Sequence, residues 1–178
     1  MKANITPAYV LGLTEACEEF LCPIEANVHD ICFGKTILRN MANNQLVFED
    51  IPPGGFRPLP KEDKDRKFEF QLPSDFLRIN SAGMTFEFKI GPVELKNLRV
   101  IEKHFFFKKL IKSYDMEFGY CMPDSVNTWE TMITLPQLSE EEIAEIVKNP
   151  GKYKTDTYFF NENNLFSHIR SDITYLQL

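Results

Sequence analysis

Clustered positive charge, phosphate-binding loops, paired cysteines and long apolar runs are all missing from this 178-residue chain, and each absence removes a class of function. Its 20 lysines and arginines stand against 26 acidic residues, for a net charge of −6. A nucleic-acid backbone needs a basic track and an anionic membrane surface attracts basic segments, so neither is an expected partner. No apolar run approaches the roughly 18–20 residues of a membrane span. The N-terminal stretch "MKANITPAYV" has no signal-peptide core, and the chain is expected to be cytoplasmic, with no direct membrane insertion. The four cysteines, Cys17, Cys22, Cys32 and Cys121, form no C-x-x-C pair and have no ligand spacing with the three histidines. No metal is therefore expected, and the thiols should be reduced. The G-x-S-x-G, P-loop, G-x-G-x-x-G and H-E-x-x-H motifs are absent as well. No catalytic residues and no cofactor can be assigned, and an enzyme is the least favoured class.

What the sequence does have is phenylalanine, 16 residues against a single tryptophan, and alternation with a period of two. "MTFEFKIG" puts Met84, Phe86, Phe88 and Ile90 on one face and Thr85, Glu87 and Lys89 on the other. "KFEFQLP" does the same with Phe68, Phe70 and Leu72. "DICFGKTILRNM" and "QLVFED", joined by "ANN", read as a hairpin. Further strand-like segments follow in "TWETMITL", "DTYFFNE", "NLFSHIR" and "ITYLQL". Two short helices are expected. One starts at Thr6, with Pro7 at its first position. The other lies in "LSEEEIAEIVKNPG", where Ser139 and Glu142 form a capping box, Leu138 and Ile143 a hydrophobic staple, and Pro150-Gly151 the stop. Short strands with frequent turn signals predict an all-β sandwich or barrel. Residues 1–178 form one domain, and 50–66, "DIPPGGFRPLPKEDKDR", is a long loop within it.

"NLRVIEKHFFFKKLIKSYDMEFGY", residues 97–120, raises a conflict. Tyr114, Met116 and Phe118 share an apolar face, but the same alternation upstream sets Glu102 and His104 beside Val100 and Phe106. These two polar residues lie either on an exposed face or in the wall of a cavity, where each needs a hydrogen-bond partner. The phenylalanine surplus leaves a parallel choice. The rings either fill the space between the sheets, or hold open an apolar cavity that accepts an apolar ligand. The "KK" at 108 and 109 reads as a turn between two strands.

The segments "ITPAYVLGL", "FLCPIEANV", "FLRINSAGMTFEFKIG", "VIEKHFF", "LIKSYDMEFGYCMP" and "LPQLSEEEIAEIVKNP" run in an order that resembles the uncoordinated-one-nineteen acyl-binding chaperones. These group with the prenyl-binding delta subunit of rod phosphodiesterase. The resemblance covers residues 5–175 and implies an immunoglobulin-like β-sandwich with one or two short helices. It also implies a monomeric carrier, not an enzyme, that buries the myristoyl chain of an N-myristoylated protein cargo between its sheets. An ARF-like small GTPase in its GTP form would release that cargo, with delivery towards a cilium or flagellum. Carried over residue by residue, the lipid-binding set is Phe70, Phe76, Phe88, Glu102, His104, Tyr114, Met116, Phe118, Leu135 and Phe159. Phe70 stands where the acyl binders carry tyrosine, and "NTWETMI" is closer to the prenyl-binding branch. A carrier of prenylated proteins and a filled-core interaction domain are therefore the alternatives.

Overall fold

Residues 4–177 are described by a computed structural model, and among them nine strands form two sheets. The first sheet contains β1 (Cys32–Asn40), β2 (Leu46–Asp50), β4 (Ser81–Lys89) and β7 (Val126–Thr134), in the spatial order β2-β1-β4-β7. The second contains β3 (Lys67–Pro73), β5 (Leu95–Phe106), β6 (Lys109–Cys121), β8 (Tyr153–Asn161) and β9 (Asn164–Leu176), in the order β3-β9-β8-β5-β6. All pairings are antiparallel except β3 with β9, which run parallel from Lys67 opposite Arg170 to Pro73 opposite Leu176. The sheets pack face to face as a sandwich, in agreement with the alternation read from the sequence.

Local chemistry accounts for the connections. The β1–β2 hairpin turns where Asn44 takes a left-handed conformation, while the Asn40 and Asn43 side chains accept bonds from the Ala42 and Gln45 amides. The β5–β6 turn falls on Phe107, itself left-handed, and Lys108, so β6 starts at Lys109. "NLFSHIR" and "ITYLQL", read separately from sequence, are one continuous strand, β9, because no glycine or proline interrupts them.

Helix α1 (Pro7–Leu11) is capped by the Thr6 hydroxyl, which accepts from the Tyr9 amide. In α2 (Glu140–Lys148) both halves of the Ser139–Glu142 capping box are made. Ile143 and Ile146 of α2 are buried with Leu72, Phe76, Leu77 and Tyr175 at one end of the sandwich, with Leu138 packed against them. Phe88, Leu95, Leu98, Cys121 and Phe166 fill the other end. The core is thus split, and the space between the two clusters matters for function.

The outer face of the five-stranded sheet is also covered. Val10 of α1 is buried there with Ile101, Tyr158 and Phe160. Lys103, fully buried, donates from Nζ to the carbonyls of Val10, Leu11 and Leu13, at 3.0, 3.0 and 2.5 Å. The last carbonyls of a helix lack internal partners and carry its negative end, which is where an ammonium group is favoured. Further along, Asp156 accepts from His168 Nε2 at 3.0 Å and Arg170 Nε at 2.6 Å. His168 Nδ1 accepts from the Leu21 amide, and Arg170 donates to the carbonyls of Cys17 and Glu18. The Phe20 ring lies under the guanidinium groups of both Arg66 and Arg170. These bonds strap residues 5–22 across β5, β8 and β9.

Candidate functional site

The space between the two core clusters is a cavity of about 180 Å³. A packed interior leaves few voids larger than one water, for which roughly 10–15 Å³ of such space suffices, so this is a built cavity and no packing defect. Both sheets supply its wall. Phe33, Leu38, Phe48, Met84, Phe86, Trp129 and Ile133 come from the four-stranded sheet, and Phe68, Phe70, Leu72, Val100, Met116, Phe159 and Ile169 from the other. Large rings standing on facing strands hold the sheets apart. Phe33 meets Phe159 across the gap at 4.9 Å between ring centres, and Phe48 meets Phe70 edge-on at 5.5 Å.

Of the ten residues expected to line a lipid site, seven border this cavity: Phe70, Phe76, Glu102, His104, Met116, Leu135 and Phe159. Tyr114 borders a neighbouring void of about 20 Å³ that shares Phe76, His104 and Leu135, and its hydroxyl donates to the Thr134 carbonyl at 3.0 Å. Phe88 and Phe118 lie outside the cavity wall. Phe88 is wholly buried, Phe118 packs edge-on against it at 5.3 Å, and Trp129 completes the row at 5.4 Å. These three rings close the filled end, with Trp129 the one that also faces the cavity.

The conflict in residues 97–120 resolves by alternation. Val100, Glu102 and His104 of β5 face the cavity, whereas Ile101 and Lys103 face outward under α1. Glu102 and His104 are polar groups inside an apolar wall, and their partners are present. His104 Nε2 lies 2.6 Å from Glu102 Oε1, the Thr157 hydroxyl donates to Glu102 Oε2 at 3.2 Å, and Tyr153 Oη lies 3.0 Å from His104 Nδ1. Both ring nitrogens of His104 and both carboxylate oxygens of Glu102 are thereby partnered. Burial pushes the Glu102 carboxyl up, but the hydrogen bond and charge of His104 and the Thr157 bond outweigh it, leaving its pKa below the ordinary value. Burial drives the Tyr153 phenol far above its usual range, so it stays protonated and able to donate. Because these four groups satisfy one another, none of them demands a hydrogen bond of a ligand, and apolar burial can drive entry.

Several wall residues were not singled out from sequence. Phe68 and Phe86 shared a face with residues that were, so period two could have found them. Thr155, Thr157 and Ser171 could not be found this way, since most of β8 and the first half of β9 are buried on both faces, and polar residues fall on the inward face as well. Asp50 and Arg57, also in the wall, sit on an edge strand and in the long loop. Among the described residues no group of three or more His, Cys, Asp and Glu side chains could hold a metal, and all four cysteines are free. No helix among them is long and apolar enough to cross a membrane.

A two-sheet sandwich parted around an apolar chamber defines an internal-cavity binding protein. Residues 25–175 match the family described as GMP-PDE, delta subunit, and the chain belongs to that family, whose members are binding or carrier proteins and not enzymes. The chain is 35% identical to Protein unc-119 of Caenorhabditis elegans over 177 residues, covering 98% of this chain and 81% of that protein. It is 34% identical to Protein unc-119 of Caenorhabditis briggsae, over 98% and 81% of the two chains. It is 33% identical to Protein unc-119 homolog B of Homo sapiens, over 97% and 72%. Family and relatives together fit a lipid-binding chaperone in general terms.

Proposed function

We propose that this protein is a monomeric cytoplasmic chaperone that takes the N-terminal myristoyl chain of a lipidated cargo protein into the cavity. The observation that carries this reading is the chamber itself, lined mostly by apolar side chains from both sheets, with Glu102 and His104 paired to each other. Each buried CH₂ contributes about 0.8 kcal/mol, so a fourteen-carbon chain gains on the order of 10 kcal/mol before the entropic cost of binding. Phe70, Phe76, Met116, Leu135 and Phe159 would contact the chain, and Glu102 and His104 would border it. Tyr114 would stand behind that wall, while Phe88 and Phe118 would back the closed end. Release by a GTP-bound ARF-like small GTPase, and delivery towards a cilium or flagellum, complete the reading. The GTPase would add a strand to an exposed edge and draw the sheets apart.

The second reading is a carrier of farnesylated or geranylgeranylated proteins, and Trp129, from the segment nearer the prenyl-binding branch, favours it by lining the cavity. One titration separates the two. Fluorescent myristoyl-glycyl peptide is expected to bind tightly and farnesyl-cysteine methyl ester peptide weakly. The reverse order selects the prenyl reading, and no binding of either returns the protein to the filled-core class.

A further inference from the structure

Charge inside the cavity is confined to few places. Among the described residues its lining holds the carboxylates of Asp50 and Glu102, the guanidinium of Arg57 and the imidazole of His104. Glu102 and His104 are committed to each other and to Thr157 and Tyr153. Asp50 and Arg57 stand apart from them at the edge. Asp50 is the last residue of edge strand β2, followed by exposed Ile51, and Arg57 lies in the surface loop after Gly54 and Gly55. Their side chains keep 27% and 29% of their surface accessible. They form a polar rim to a mostly apolar wall.

The rim is held in place. Arg57 Nη2 donates to Asp50 Oδ2 at 2.7 Å, its guanidinium lies 4.7 Å from the centre of the Phe68 ring, and its backbone amide donates to the Phe33 carbonyl at 2.8 Å. Phe56, the preceding residue, packs so closely on β1 that a Cβ on Gly34 would come within 2.9 Å of its ring. Lys89 Nζ lies over that ring, 4.8 Å from its centre. The guanidinium is therefore fixed beside the cavity with its charge already answered by a carboxylate.

We infer that the Asp50–Arg57 pair selects ligands by the charge at the lipid's polar end, admitting acyl chains joined through an amide and rejecting free fatty acids. The inference rests on the lipid reading given above. A fatty acid brings a carboxylate that needs a free cation, and the one guanidinium at the rim is neutralised by Asp50. Glu102 places a second negative charge in the same cavity. An acyl amide brings one C=O and one N–H and no charge. Arg57 has N–H groups beyond the one given to Asp50 and can donate to that carbonyl, while Asp50 Oδ1 can accept the N–H. The ion pair need not open to receive an amide, whereas a carboxylate must break it or sit beside a like charge.

The test compares a myristoyl-glycyl peptide with sodium myristate at submicellar concentration, reading the fluorescence of Trp129, the single tryptophan, which faces the cavity. The wild-type protein is expected to bind the peptide at least tenfold more tightly than the fatty acid. Asp50→Asn leaves the rim its size but frees the charge on Arg57, and should shrink that preference by about fivefold, the worth of a partly exposed charged hydrogen bond. Asp50→Glu should restore it. Arg57→Met should weaken peptide binding without favouring myristate. A role confined to holding the loop would move both ligands equally. An unchanged ratio in Asp50→Asn, or equal affinities in wild type, overturns the inference while leaving the lipid reading intact. Failure of the wild type to bind either ligand overturns both.

Discussion

At the scale of single residues, His104 carries two bonds that leave partners in the cavity wall unsatisfied when lost: half-buried Glu102 on one side and the buried Tyr153 hydroxyl on the other. Truncation that leaves a hydrogen-bonding partner stranded in an apolar wall costs more than the bond itself contributed. His104→Ala is expected to lose about 2 kcal/mol and to lower Tm by roughly 4–8 °C in a domain of this size. Thermal melts of the variant check this, and an unchanged Tm would mean that Glu102 finds water in place of the imidazole. Glu102 gives a pH signature. Its folded pKa is depressed, so the stabilisation it contributes is present above its unfolded pKa of about 4.3 and fades as pH falls through the lower folded value. Urea midpoints of wild type and Glu102→Gln, measured from pH 7 downward, are expected to differ at neutral pH and to converge in acid. Curves that stay parallel would assign the difference to packing alone.

At the scale of elements, β4 was legible from sequence because its two faces meet different surroundings: Met84, Phe86 and Phe88 look inward, and Glu87 and Lys89 do not. β8 was legible only as a strand. Thr155, Thr157 and Phe159 face the cavity, while Tyr158 and Phe160 face α1, so both phases are buried and neither marks the site. The strap over residues 5–22 was missed for a different reason. Apart from α1 it has no repeating pattern, and its anchors, Lys103, Asp156, His168 and Arg170, are charged or polar side chains that sequence reading assigns to solvent. Lys103 decides how firmly α1 is held. Lys103→Met keeps the length of the side chain but abandons three carbonyls, and should cost about 2–3 kcal/mol. Hydrogen exchange would report it as faster exchange across Pro7–Leu13, with β4 and β7 unaffected. Uniform acceleration through the whole chain would show instead that α1 and the sheet open together.

At the scale of the whole molecule, a ligand that occupies the chamber binds only the folded state. At a hundredfold excess over Kd it adds about 2.7 kcal/mol, or roughly 5–11 °C in Tm for a chain of this length. Because apolar burial drives entry, the shift should survive a rise from 0.05 to about 0.5 M salt, conditions that screen surface charge. A shift that vanishes in salt would place the affinity at the rim instead of the chamber. That the sandwich encloses a chamber could not be read from alternation, because filled and hollow sandwiches write the same pattern along each strand. The fault lies in the distance between the sheets, which no single strand encodes. β5 has one more consequence. Its inward residues Glu102 and His104 alternate with outward Lys103, and each is matched to a partner on its own side. Sliding the strand by one residue would turn the ammonium into the chamber and aim a carboxylate at the carbonyl end of α1. Misregistered pairing of this interior strand is thus penalised on both faces at once, so its polar residues fix the register alongside the apolar ones.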